Sequence, residues 1–136
     1  MKPDPYATLN DAVALQNRSD FAGAQALYWQ ILFDDPAQFD ALHLLGVSKC
    51  QQGQQAEGAW FIARALDQRP SDAGAHFNLA MALAEQHRPA DAIARFDQAL
   101  ALKPDHAASW FSRGDALQVE GRYADAIDSY RRALAL

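Results

Sequence analysis

The chain is short of cysteine, of lysine and of any long apolar run, and each shortage removes a class of function. One cysteine, Cys50, cannot form an internal disulfide, which argues against a disulfide-stapled secreted scaffold. Three lysines (Lys2, Lys49, Lys103) and a formal net charge of −5 leave no basic surface to neutralise phosphates, so no nucleic acid partner is expected. Met1-Lys2-Pro3-Asp4-Pro5 leads into a segment carrying Asn10 and Asp11 instead of a continuous apolar core. Neither a signal peptide nor a membrane span is predicted, no membrane partner is expected, and cytoplasmic residence is the default. No strand-like alternation is visible, and there is no glycine-rich phosphate loop. His43, His76, His87 and His106 each lack a second His or Cys three or four residues on, so no metal site is expected. Asp40 lies one turn before His43 and Cys50 two turns after it. Two helical turns span about 10 Å, too far for a Cys-His pair, which leaves a groove-lining histidine beside a semi-buried thiol. The reading is of a chain that is not an enzyme and needs no cofactor.

What the chain has is a period. Pro36, Pro70 and Pro104 recur every 34 residues, and columns of like residues run beneath them. One small column reads Ala24, Gly58, Ala92, Ala126, and a second reads Ala12, Gly46, Ala80, Gly114. A large column reads Tyr28, Ile62, Phe96, Tyr130, and a leucine column Leu32, Leu66, Leu100, Leu134. Two antiparallel helices approach closely only where the crossing carries a small residue, so each helix of a pair receives one small column and large residues fill the space around it. Proline then closes the second helix of each unit. The turn between helices reads Ser19, Gly53, His87, Gly121, where glycine suits a left-handed helix end and His87 is the exception. Pro89 falls at a first helical position, and Ser71 and Asp105 are the expected N-caps of following helices. Such a period with two helical patterns per unit predicts a stacked array of helix pairs.

These columns resemble the tetratricopeptide repeat family over nearly the whole chain, from about Pro5 to Leu136. The resemblance implies an all-α, right-handed superhelix of antiparallel helix pairs, about four repeats and eight helices. A single array over 5–136 would divide near 5–38, 39–72, 73–106 and 107–136, behind a tail at 1–4. First helices are placed near 5–17, 38–51, 72–86 and 106–119, and second helices near 20–33, 54–68, 88–102 and 122–135. Asp11 and Arg113 stand where the family has leucine, and Lys49 breaks the column of Leu15, Leu83 and Leu117, so the outer units are expected to pack less tightly than the third.

In the family the concave groove is lined by the flank of the first helices, and here three columns lie on that flank. They read Leu9, His43, Phe77, Phe111; Val13, Val47, Met81, Asp115; and Gln16, Cys50, Ala84, Gln118, with Asn10, Asn78 and Ser112 beside them. Aromatic residues at helical spacing are more often core than site, so Phe77 and Phe111 stay open between packing on second helices and joining Met81 as an exposed patch. The candidate partner-binding residues are therefore Leu9, His43, Val47, Phe77, Asn78, Met81, Phe111, Ser112, Asp115 and Gln118. Asn78 and Ser112 would bond the backbone of a guest.

The groove columns hold no lysine or arginine, which argues against a clamp for acidic chaperone tails. The wording Ala75-His76-Phe77-Asn78-Leu79-Ala80 looks like the arrays that precede the catalytic domains of O-linked glycosyltransferases, although Leu44 and Ser112 interrupt the asparagine ladder that Asn10 and Asn78 begin. At the C-terminal end Ile127, Tyr130 and Leu134 lack a following unit to cover them. Either the array belongs to the N-terminal part of a larger bacterial-type protein, or copies form a homo-oligomer through this end. The expectation is a protein-interaction module with a peptide or partner helix in the groove. A substrate-recruiting arm of a glycosyltransferase-like enzyme and a self-assembly scaffold are the alternatives.

Overall fold

The computed structural model describes residues 4–136, and those residues form eight α-helices with no strand among them. They are α1 Pro5–Asn17, α2 Phe21–Asp34, α3 Phe39–Gln51, α4 Gln55–Gln68, α5 Ala73–Glu85, α6 Pro89–Leu102, α7 Ala107–Val119 and α8 Tyr123–Leu134. The tail expected at 1–4 lies outside the described residues except for Asp4, whose carboxylate accepts the Tyr6 N–H and caps α1. The chain divides after Pro70 into two compact units, α1–α4 and α5–α8.

Within each unit the helices pack in sequence order, each on the next, and the small columns lie where they meet. In unit 1 Ala12 and Ala24 are fully buried, and in unit 2 Ala80 and Ala92 are. Glycine marks tighter crossings. A Cβ on Gly46 would lie 2.7 Å from the Gly58 carbonyl oxygen, and one on Gly58 would lie 2.6 Å from the Gly46 oxygen and collide with Cys50 Sγ. Tyr28, Ile62 and Phe96 have no exposed surface, so the large column fills the space the small columns leave open.

The four turns inside the helix pairs share one geometry. Ser19, Gly53, His87 and Gly121 take φ of 62°, 80°, 58° and 75°, so the two non-glycine members accept the left-handed conformation as well. The next residue's N–H then reaches back five residues, Asp20 to Leu15 O, Gln54 to Lys49 O, Arg88 to Leu83 O and Arg122 to Leu117 O, at 2.9–3.0 Å. That bond satisfies a carbonyl the helix end would leave open.

The caps after the prolines need a correction. Ser71 and Asp105 are not N-caps; Asp72 and His106 are. The proline and the residue after it form a turn, so the cap falls two positions past each proline, at Gln38, Asp72 and His106. Gln38 and Asp72 accept backbone N–H groups at 2.6 and 2.8 Å. The His106 ring instead meets Ser109 Oγ at 2.6 Å.

Candidate functional site

In unit 1 the predicted flank residues Leu9, His43 and Val47 are half-buried on α1 and α3, and the His43 ring leans on Phe39 at 5.5 Å. Their polar neighbours are largely turned to one another. Gln16 donates to Gln51 at 2.8 Å and accepts the Tyr28 hydroxyl at 2.7 Å, while Gln25 donates to both Ser48 and Gln52. Amides so engaged stitch α1 and α2 to α3 and present few open donors. Burial pushes the Cys50 thiol upward, away from the thiolate a nucleophile requires.

Unit 2 differs. Phe77 is half-buried, 6.0 Å from the Phe96 ring and edge-on to His106 at 5.0 Å, so it belongs mainly to the packing between α5, α6 and the start of α7. Asn78 beside it is half-buried. One turn further along α5 the surface opens. A recess of about 330 Å3 lies between α5 and α7, floored by Phe96 of α6, and it gathers Met81, Ser112 and Asp115 from the predicted set. It also includes Glu85, His87 and Val119, which the sequence reading missed. Glu85 and Val119 stand one helical turn beyond Met81 and Asp115, so continuing the same columns by four residues would have found them.

Phe111 and Gln118 go elsewhere. With Ala107, Ala108, Tyr130, Ala133 and Leu134 they line an open apolar depression of about 710 Å3 on α7 and α8, so two predicted groove residues share a surface with the predicted association end. The Phe111 and Tyr130 rings lie 5.4 Å apart. The Tyr130 hydroxyl donates to Asp115 at 2.5 Å and to Gln118 at 3.1 Å, the counterpart of the Tyr28–Gln16 bond in unit 1. Desolvation, then the hydrogen bond and negative charge of Asp115, push this hydroxyl up to about 12. Ile127 and Leu134 are exposed, Leu134 by 87%.

Arg113, at a position where leucine was expected, is held at both ends. Its guanidinium reaches Asp97 on α6 and Ser129 on α8, each at 2.6 Å. Lys49 similarly turns to Glu57 at 3.5 Å. Asp11 is exposed. Among the described residues no three His, Cys, Asp or Glu side chains assemble as metal ligands, and no helix is long and apolar enough to cross a membrane.

A model of the tetratricopeptide repeat family matches residues 52–94 and 77–136. Among solved structures, a crystal structure of MamA is 17% identical, covers 97% of this chain and 77% of its own, and superposes with a TM-score of 0.91. The structure of MamA 41-end from Desulfovibrio magneticus RS-1 is 20% identical over 98% of this chain and 75% of its own, with a TM-score of 0.90. A further MamA structure is 21% identical over 96% of this chain and 72% of its own, at 0.89. At such identities these likenesses show the fold. No curated protein matches the chain.

Proposed function

Because the chain belongs to the tetratricopeptide repeat family, we propose that it is a protein-interaction scaffold that holds a peptide or partner helix against the flank of its first helices. The recess between α5 and α7 carries this reading. It gathers the exposed Met81 and Val119 over the buried Phe96 and Ala116, and Ser112 and Asp115 belong to its lining. An apolar recess with a few placed polar groups is the usual form of a recognition site. The recess belongs to unit 2, so this reading assigns the capture to that half of the chain.

A photo-crosslinking residue placed at Met81 should trap a partner from the native host, whereas the same residue at the exposed Trp60 of α4 should not. Trapping at Trp60 with none at Met81 would move the site off the first-helix flank.

A second reading rests on α8. Leu32 and Leu100 are each 6% exposed, yet their counterpart Leu134 is 87% exposed beside an apolar depression. A surface of this kind favours association, with a second copy as the occupant that the self-assembly reading requires.

A further inference from the structure

We infer that the α5–α7 recess receives a basic side chain, lysine or arginine, projected by the bound segment; this rests on the interaction reading above. Three features of unit 2 point to such a guest. First, the volume of about 330 Å3 is at the small end of ligand pockets, which run from roughly 300 to 1,000 Å3, so it suits one long side chain and is too small for a whole helix. Second, the lining combines apolar and acidic residues. Met81, Phe96, Ala116 and Val119 supply the apolar part of the lining, and Glu85 of α5 and Asp115 of α7 are its two acidic members, with His87 the other titratable one. Lysine and arginine are built to match, with an aliphatic stem that packs on apolar surface and a charged head that seeks polar company.

Third, the arginines of unit 2 nearest in sequence to these carboxylates are paired with other acids. Arg88 pairs with Asp91 at 2.8 Å, Arg113 with Asp97 at 2.6 Å and Arg122 with Asp125 at 3.0 Å. No arginine or lysine among the described residues pairs with Glu85 or Asp115. Asp115 accepts the Tyr130 hydroxyl, a neutral donor, through one oxygen, which leaves other lone pairs of the carboxyl group for a cation. An acidic or phosphorylated guest would meet two like charges here. A purely apolar guest would leave both carboxylates without a cation partner. The selectivity expected is therefore basic over apolar over acidic.

The test uses the full chain with methyl-labelled methionine and valine, and three capped pentapeptides of alanine that differ only at the centre, where they carry lysine, norleucine or glutamate. Met81 and Val119 methyl resonances should shift with the lysine peptide at a concentration about five-fold lower than with norleucine, the size of a partly exposed ion pair. Glutamate should give no shift. Glu85→Gln, which breaks no bond within the protein, should bring lysine close to norleucine while the methyl spectrum of the free protein stays folded. Equal response to lysine and norleucine in the wild type would overturn the basic-guest inference and leave an apolar slot. No response to any peptide would also overturn it. Crosslinking at Met81 tests the broader interaction reading independently, because a partner trapped there without a lysine preference retains that reading while this one is lost.

Discussion

Gly58 and Gly53 are glycines for different reasons, and substitution separates them. At Gly58 a methyl group would run into Cys50 and the Gly46 carbonyl oxygen, and a backbone atom cannot step aside. Gly58→Ala should therefore lower unfolding free energy in urea by about 1–3 kcal/mol, the usual cost of overpacking. At Gly53 nothing lies within 4 Å, but φ is +80°, so Gly53→Ala should cost only the left-handed penalty of about 1–2 kcal/mol and leave the helix crossing unchanged. Tyr28 gives a second residue-scale expectation. Burial pushes its hydroxyl from the ordinary 10 up to about 12. The folded state then holds this proton more tightly than the unfolded chain, so its contribution is constant below pH 10 and stability falls as pH rises from 10 towards about 12. Tyr130 shifts in the same direction, so the difference between wild type and Tyr28→Phe isolates Tyr28. Denaturant unfolding from pH 9 to 11.5 should show a shallower loss in the variant.

At the scale of the helix, Arg113 ties three elements together. It takes a leucine position on α7 and, instead of filling it with apolar volume, spans from Asp97 on α6 to the buried Ser129 on α8. Arg113→Ala should destabilise unit 2 by about 1–3 kcal/mol, because the buried Ser129 hydroxyl loses its partner. Arg113→Leu combined with Ser129→Ala should recover most of that loss, since apolar groups replacing both partners leave nothing unsatisfied. A double-mutant cycle measured by thermal unfolding checks the coupling. Helix positions, turns and crossings are legible in the sequence because each repeats four times against a steric rule that admits few residues. Ser19 and His87 sit in a column already marked by Gly53 and Gly121, and all four are left-handed. The expected N-caps fall one residue early because the proline needs a turn partner before the next helix can start, a constraint of backbone geometry that the residue types do not announce. The site is legible only by column. Met81, Ser112 and Asp115 come together as their columns imply, whereas Phe77 packs towards Phe96 and His106, and Phe111 and Gln118 face the depression beside α8. Which flank residue turns inward depends on the size of its neighbours on the next helix, and that is a tertiary matter.

For the molecule as a whole, repetition supplies an internal control at every position, and the leucine column uses it most sharply. Leu32 and Leu100 occupy equivalent places on α2 and α6, and each is covered in a unit where the next helix, α3 or α7, packs on its own. Leu134 has the same backbone setting on α8 without such cover, and a fully buried leucine is worth about 1.5–3 kcal/mol over an exposed one. Under the self-assembly reading that difference is recovered when a second copy seats against Leu134, Tyr130 and Phe111. Leu134→Glu removes no buried contact, so its effect on unfolding should stay within about 0.5 kcal/mol. Static light scattering across a concentration series should then show a molar mass that rises in the wild type and stays at the monomer value, 15.0 kDa, in the variant. A wild type that holds the monomer mass throughout would remove the self-assembly reading.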